Sequence, residues 1–336
     1  MCTVHSLLPK VPRYFKANLH THSNLSDGKL TPEEVKAAYK EKGYQILSLT
    51  DHNVIVDHSD LNDLDFLLLT GVEINVKAPD KRSSPRGKTY HLNLIAKRSD
   101  NLWSPSKAAR KNPAAEKYEN LMQCEEMDLQ YDPNSINAMI AKANEKGFLV
   151  MYNHPTWSCQ NYIDYAPLKG LWGMELRNTE CCCLGYNENN FRVYKDLLTL
   201  GNRIYPLGTD DMHKPRALGQ SWIMVGSTEL SYGCVIDALE KGDFYMSCGP
   251  EIFDLEVEGN ILKITCSDAQ RINMETYGRH AQLAIAEDKP LHKAEFPLDT
   301  FFDKANNDPS AFLYVTVTAP DGSYATTRPY YLNELL

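Results

Sequence analysis

The chain has 336 residues, a formal net charge of −9, and 43% hydrophobic and 24% charged residues. This balance excludes a disordered, collagen-like or coiled-coil protein, and the acidic charge argues against nucleic acid as a partner. No run approaches the ~20 apolar residues of a membrane span, so no membrane partner is expected. The nine cysteines lack the spacing of a disulfide framework, which favours a reduced, cytoplasmic protein.

Residues 1–250 alternate short apolar runs with helical patterns. The predicted strands are Phe15–Leu19, Gln45–Thr50, Phe66–Glu73, Thr89–Ile95, Phe148–Tyr152, Gly173–Leu176 and Arg203–Leu207. Helices are predicted after the Thr31-Pro32 capping signal, over the periodic run Ile136–Ala143, over Phe191–Leu200 and over Val235–Leu239. Such alternation predicts a mainly parallel sheet or barrel.

The pattern changes after Gly249-Pro250. Apolar and charged residues alternate over Phe253–Glu258, Phe312–Val317 is also typical of a strand, and Asp321-Gly322 is a turn signal. We therefore expect a domain over residues 1–250 followed by a small all-β domain over 251–336. The polar stretch 98–131 has no clear period, and we interpret it as an insertion or a lid.

Histidines and carboxylates recur at or near the carboxyl ends of the predicted strands. His20 and His22 stand two residues apart, so their imidazoles share a face and can reach one ion. The further members of the pattern are Asp27, His52, Glu73, His91, His154, Asp211 and His213. In barrels the active site forms at this end of the strands, so the pattern favours a site for several metal ions over unrelated surface residues.

These motifs resemble the PHP (polymerase and histidinol phosphatase) superfamily of metal-dependent hydrolases over about residues 14–250. The resemblance rests on His20-Thr21-His22, Ser26-Asp27-Gly28, Thr50-Asp51-His52-Asn53, Glu73, His91, His154-Pro155 and Asp211-Met212-His213. Asn53 and the Gly208–Asp211 block are most similar to the CehA/McbA-type branch, where a short β domain also follows the hydrolase domain. The resemblance implies an α/β fold, a distorted (β/α)7 barrel followed by a small, sandwich-like all-β domain.

The resemblance also implies a ligand set for two or three divalent ions. The first ion would take His20, His22, Glu73 and Asp211, the second would take Glu73, His91 and His154, and the third would take Asp27, His52 and His213. Asp210 is an alternative to Asp211, or a partner that orients a histidine. Imidazole and carboxylate ligands without a thiolate suit Zn²⁺, Mn²⁺ or Fe²⁺. Glu73, Asp211 and His213 are the expected catalytic residues.

A metal-activated hydroxide in such a site can attack phosphorus or a carbonyl carbon. We expect a phosphoesterase acting on a small phosphorylated molecule, with Lys29, Arg177 and Arg216 as candidate substrate-binding cations. An amide, ester or carbamate hydrolase is the alternative, with Trp157, Trp172 and Tyr186 available to form an apolar pocket. A non-catalytic, metal-stabilised binding module is a third possibility. Glu175 and Asn178 could line the site or form buried hydrogen bonds, and Cys181–Cys183 is interpreted as reduced thiols near a loop.

Overall fold

The computed structural model describes residues 4–79, 87–107 and 112–336. Its strands are β1 Val4–Ser6, β2 Arg13–Asn18, β3 Ile46–Leu49, β4 Leu67–Lys77, β5 Thr89–Ala96, β6 Trp103–Ser104, β7 Gln123–Cys124, β8 Phe148–Tyr152, β9 Gly173–Asn178, β10 Tyr205–Thr209, β11 Trp222–Ser227, β12 Phe244–Ser247, β13 Ile252–Glu258, β14 Ile261–Ala269, β15 Arg271–Thr276, β16 Ala281–Ile285, β17 Leu291–Pro297, β18 Phe312–Thr318, β19 Tyr324–Thr327 and β20 Tyr330–Tyr331. Its α-helices are α1 Pro32–Glu41, α2 Glu116–Glu119, α3 Pro133–Glu145, α4 Tyr162–Tyr165, α5 Thr179–Cys183, α6 Phe191–Thr199, α7 Tyr232–Lys241, α8 Asp299–Ala305 and α9 Leu332–Leu335. Among these residues, no helix has the length and apolar character needed to cross a membrane.

One large mixed sheet carries all seven strands predicted for residues 1–250. Its order is β10-β9-β8-β5-β4-β3-β2-β11-β12-β19-β18-β15-β16, and β20 pairs with β18. The pairs β2/β3, β3/β4, β8/β9 and β9/β10 are parallel. The expectation of a mainly parallel sheet is wrong for β5, which runs antiparallel to both β4 and β8. The connection from β4 to β5 spans only residues 78–88 and holds no crossover helix among its described residues.

The two ends of this series of seven strands meet beyond β2 and β10. Thr21 and Met212 form a parallel bridge, and the Asp211 N–H donates to the His20 carbonyl at 2.9 Å. The sheet therefore curls until the segments that follow β2 and β10 lie side by side. The strict (β/α)7 description stays a prediction.

The predicted helices lie where local signals place them. At the start of α1, the Thr31 hydroxyl accepts from the Glu34 N–H, and the Glu34 carboxylate accepts from the Thr31 N–H. The apolar faces of α3 and α7 join the main hydrophobic core against the sheet, as their periodicity predicts. This packing leaves the polar strand ends free to form a site at one edge.

Residues after 250 form strands in two sheets. One is a four-stranded sheet in the order β1-β13-β14-β17, which includes β1 from the start of the chain. In the other, β19, β18, β15 and β16 extend the large sheet from β12. A second hydrophobic core lies between them and includes Leu7 and Leu8. The short helix α8 lies between β17 and β18, and α9 follows β20. A separate all-β domain with its boundary at residue 250 stays a prediction.

The segment predicted as an insertion, residues 98–131, contains the parallel pair β6/β7 and the short helix α2. Residues 108–111 of this segment lie outside the described residues. The Ser106 hydroxyl donates to Asn53 Oδ1 at 2.8 Å, and Asn112 Nδ2 donates to the Asn24 and Leu25 carbonyls at 2.9 Å. The insertion therefore packs on the two loops that carry Asp27 and His52. Its action as a lid stays a prediction.

Candidate metal centre

All nine residues of the predicted ligand set meet at one edge of the large sheet. They form four overlapping groups. Within each group, the potential ligand atoms all lie within 4.8 Å of one another. The groups are His20/His22/Glu73, His20/His154/Asp211, His52/Glu73/His91 and His22/Asp27/His52/His213. His91 belongs to the cluster although it lies near the amino end of its strand. Because β5 runs antiparallel to its neighbours, that end faces the same edge as the carboxyl ends of the parallel strands.

The buried carboxylate of Glu73 is the centre of the cluster. Its two oxygens lie 2.9–3.4 Å from a ring nitrogen of each of five histidines. These histidines are His20, His22, His52, His91 and His154. A carboxylate that faces five imidazoles can bridge two ions, which is the role that the resemblance implies for it.

Asp211 completes the group around His20 and His22. Its Oδ1 lies 3.1 Å from Nε2 of both histidines, yet it is buried without a hydrogen bond among the described residues. Asp211 also has a φ of +50°, and His154 has a φ of +22°. Non-glycine residues with positive φ cost of order 1–3 kcal/mol and cluster at functional sites. The structure thus holds the Asp211 carboxylate toward the histidines at an energetic cost.

Asp210, the alternative to Asp211, has a different set of partners. Its carboxylate accepts from the backbone N–H groups of Gly219, Gln220 and Ser221 at 2.7, 3.0 and 3.1 Å. Burial raises the pKa of Asp210. Both Asp210 oxygens thus accept hydrogen bonds from the loop Gly219–Ser221. The geometry therefore favours Asp211 as the metal ligand.

The third group lies at the more open end of the cluster. Asp27 is 40% exposed, and its oxygens lie 3.2 Å from His213 Nε2 and 3.7 Å from His52 Nε2. The turn that carries Asp27 is held by Asp51, whose carboxylate accepts from both the backbone and the hydroxyl groups of Ser23 and Ser26. Gly28 is required here because a Cβ would lie 2.4 Å from the His22 carbonyl oxygen.

A layer of buried polar residues behind the cluster orients its histidines. Glu175 accepts from His20 Nδ1 and from the Thr209 hydroxyl, both at 2.6 Å, and from the His154 N–H at 2.8 Å. Asn178 donates to both Glu175 and Asp211. Glu175 therefore makes buried hydrogen bonds rather than lining an open surface. Such partners fix the tautomer and the direction of a ligating imidazole.

Sequence reasoning missed two residues of this layer. Asn153 donates to Glu73 Oε1 at 2.8 Å, and the fully buried Glu188 accepts from the N–H groups of Thr156 and Trp157. For Asn153, the sequence offered one signal, which is its position directly before His154. Glu188 belongs to no recognisable motif, because the N–H groups that it binds lie on a different loop, at Thr156 and Trp157.

The cluster strongly perturbs the pKa values of its members. Burial opposes charge on Glu73, but His91, His20 and His52 outweigh it and hold its pKa well below the ordinary value. Burial likewise opposes protonation of His22, but Asp211 and Glu73 raise its pKa to about 10. At His154, burial also opposes protonation, but the neighbouring carboxylates outweigh it and raise the pKa to about 9. Burial lowers the pKa of His52 to about 3. These values describe the metal-free protein.

We expect metal uptake to release protons. With pKa values of about 10 and 9, His22 and His154 are protonated at pH 7, and an imidazole must lose its proton before it binds an ion. Both pKa values lie above the ordinary 6.5, so this competition weakens as pH rises, and affinity for Zn²⁺ should increase up to about pH 10. Calorimetry in two buffers with different ionisation enthalpies measures the protons released at pH 7.5.

The variant His154→Asn should release fewer protons than the wild type, whereas His292→Asn should match it. His292 is a suitable control because its side chain is 66% exposed and its nearest partner is Asp268. Zinc binding without proton release at pH 7.5 would contradict the assignment of these histidines as ligands.

The three candidate substrate-binding cations have different contacts in the structure. The guanidinium of Arg216 pairs with Glu180, and that of Arg177 donates to Asn189 Oδ1 at 3.2 Å. Lys29 is exposed in the turn after Asp27, and its N–H donates to the His213 carbonyl. Of the three, Lys29 lies nearest to the cluster along the chain, and all three remain predicted substrate contacts.

A β-bulge explains why Arg177 does not follow Glu175 into the cluster. In the pairing of β9 with β10, Leu207 pairs with Glu175 but Gly208 pairs with Arg177, which leaves one extra residue in β9. A bulge of this kind redirects the side chains that follow it. The bulge lies between Glu175, which belongs to the buried polar layer, and Arg177, which donates to Asn189.

The cysteines show no bonded pair among the described residues, where eight free thiols are found. Cys181, Cys182 and Cys183 form most of α5, with Cys181 buried and Cys183 exposed. Burial raises the pKa of the Cys181 thiol and makes it a poor nucleophile. None of the three belongs to the groups that could hold a metal.

Residues 18–131 match the family model of the PHP domain. The matched segment covers about a third of the chain and contains His20, His22, Asp27, His52, Glu73 and His91. His154, Asp211 and His213 lie beyond it. No curated protein matches the chain.

Three solved structures are similar to this chain. A two-domain protein of Bacteroides vulgatus, described as containing a predicted PHP-like metal-dependent phosphoesterase, is 18% identical with 98% of each chain covered and a TM-score of 0.46. A lesion-specific endonuclease of Pyrococcus furiosus is 14% identical over 68% of this chain and 56% of its own, with a TM-score of 0.37. An amidohydrolase of Chromobacterium violaceum is 15% identical over 59% and 87%, with a TM-score of 0.34. All three TM-scores lie below 0.5, and these similarities do not define a substrate.

Proposed function

We propose that the protein is a metal-dependent hydrolase, and that it acts as a phosphoesterase on a small phosphorylated molecule. The observation that carries this proposal is the set of five imidazoles around the buried Glu73 carboxylate, with Asp211 beside them. A structural role alone does not account for this arrangement, because burying several ionisable groups together is costly unless a cation compensates them.

The donor set fits divalent ions. His52 Nδ1, His91 Nε2 and Asp211 Oδ1 are buried without a hydrogen bond among the described residues, although all three belong to residues of the cluster. Imidazole and carboxylate ligands suit Zn²⁺, Mn²⁺ or Fe²⁺. We propose two or three ions held by His20, His22, Asp27, His52, Glu73, His91, His154, Asp211 and His213. When bound, such ions would supply an activated water and offset negative charge on the substrate.

The residues of the chain have separate tasks in this proposal. Glu73 joins two ion positions, and Glu175 holds His20 in one tautomer through its 2.6 Å contact with Nδ1. His213 and Asp27 lie at the more exposed end of the cluster, where a substrate would enter. Burial of Glu73 and His20 excludes water from the inner end of the cluster.

Charge and thiols support a small substrate and a cytoplasmic setting. The net charge of −9 disfavours a long polyanionic partner such as nucleic acid. Eight free cysteines among the described residues suit a reducing compartment.

A panel of hydrolysis assays tests the proposed function. Protein purified without chelator, with its metals counted by elemental analysis, is assayed with phosphomonoesters, phosphodiesters, carboxyl esters and carbamates in the presence of added Mn²⁺, Zn²⁺ or Fe²⁺. We expect phosphate release that EDTA abolishes and that added metal restores. Bound metal without hydrolysis of any phosphate ester would contradict the phosphoesterase proposal.

An amide, ester or carbamate hydrolase is the second candidate, and two observations favour it. Arg216 pairs with Glu180 and Arg177 donates to Asn189, so both guanidinium groups already have a partner within the protein. The indole of Trp157 lies against the histidine cluster and offers an apolar surface. Cleavage of a carbamate or carboxyl ester without phosphate release would establish this candidate.

A further inference from the structure

Among the described residues, Trp157 is the aromatic side chain other than histidine whose ring contacts the cluster. Its ring centroid lies 5.5 Å from that of His91 and 5.0 Å from that of His154, both in edge-on geometry. Of the other two aromatic residues considered for a pocket, Trp172 is buried in the core and donates to the Leu239 carbonyl, and Tyr186 is exposed. Trp157 therefore lies beside the cluster, next to His91 and His154.

A buried carboxylate fixes the loop that carries this indole. Glu188 Oε1 accepts from the Thr156 N–H at 3.0 Å, and its Oε2 accepts from the Trp157 N–H at 2.8 Å. Asn190 donates to Glu188 and accepts from the Thr156 hydroxyl, each through a bond of 2.8–2.9 Å. These four bonds hold the peptide on both sides of Thr156, so the backbone at Trp157 is in place before any ligand arrives. Preorganisation of this kind lowers the entropic cost of binding.

The indole itself is only partly buried. One side contacts the rings of His91 and His154, and among the described residues its Nε1 has no hydrogen-bond partner. A tryptophan needed only for packing would bury its ring and satisfy its N–H, as Trp172 does. Trp157 instead presents an aromatic surface and a free donor beside a strongly polar cluster.

We infer that Trp157 is a specificity-determining residue, and that the substrate carries a flat aromatic or heteroaromatic group next to its scissile phosphate ester. This inference rests on the proposed phosphoesterase function. The cluster binds the phosphoryl group, and the indole contacts the ring attached to it. Aromatic pairs contribute beyond their buried area, and the geometry offers one such contact at the His91–His154 end of the site.

Two phosphonates that differ only in the ring test the inference. Calorimetry compares phenylphosphonate with methylphosphonate on the metal-loaded protein, and both compounds resist hydrolysis. We expect the phenyl compound to bind about two- to tenfold more tightly to the wild type. Trp157→Leu should abolish this difference with an unchanged metal content, and Trp157→Phe should retain most of it. Tyr162→Ala is the matched control, because Tyr162 is an aromatic residue of the next helix that is 51% exposed.

Each contrary outcome has a separate meaning. Equal affinities in the wild type, or a preference that survives in Trp157→Leu, would overturn the inference and leave the phosphoesterase proposal intact. Loss of metal in Trp157→Leu would reassign the indole to shielding the ligands, which also overturns the inference. If neither phosphonate binds and no phosphate ester is hydrolysed, the phosphoesterase proposal fails and the inference falls with it.

Discussion

Glu73→Gln is expected to lower metal content and to reduce hydrolysis by more than about a hundredfold, since even partners behind metal ligands are worth about 10- to 100-fold. The substitution keeps the size of the side chain but removes the charge that five imidazoles face. A neutral amide cannot bridge two cations with both of its ends, because its nitrogen carries two protons. Elemental analysis and the hydrolysis assay measure the two effects.

A matched control separates loss of the bridge from loss of any buried carboxylate. Glu180 is also buried, but its partner is Arg216 and it belongs to none of the candidate metal groups. Glu180→Gln should therefore keep its metal, with an effect limited to stability. Full metal content and activity in Glu73→Gln would remove the basis of the site assignment.

Asp211→Asn and Asp210→Asn should show opposite effects. Asp211→Asn is expected to lose metal and turnover, because the Asp211 Oδ1 lies 3.1 Å from Nε2 of both His20 and His22 and makes no hydrogen bond among the described residues. Asp210→Asn should keep its metal but lose about 1–3 kcal/mol of stability, since one buried backbone N–H then faces an amide group that cannot accept. Metal analysis and chemical denaturation of both variants provide the comparison. Metal loss confined to Asp210→Asn would move the ligand by one residue.

Much of the site could be predicted because its signals are local. The spacing of His20 and His22 and the position of His52 after an apolar run are short-range patterns, and the structure brings these residues together. The capping box at Thr31 is local in the same sense, and the helix begins where it predicts. The assignment of individual ions to these ligands stays a prediction.

The remaining features depend on contacts that no local pattern encodes. All residues of β5 are buried, so the strand shows no alternation, and nothing in it reveals that it runs antiparallel to its neighbours. Glu175 reaches His20 across 155 positions of sequence, and Glu188 reaches Trp157 across 31. The bulge between Glu175 and Arg177 exists only once β9 pairs with β10. Each of these features depends on contacts between residues that are distant in the sequence.

The pairing of β12 with β19 gives the strands after residue 250 a structural role. Strand β12 is buried along its whole length and lies between β11 and β19. Without the strands after residue 250, one side of β12 would present unpaired backbone groups beside apolar side chains, which is a template for aggregation. The C-terminal strands thus cover a side of the histidine-bearing sheet that would otherwise be an open edge. A fragment that ends at residue 250 would therefore need another strand to pair with β12.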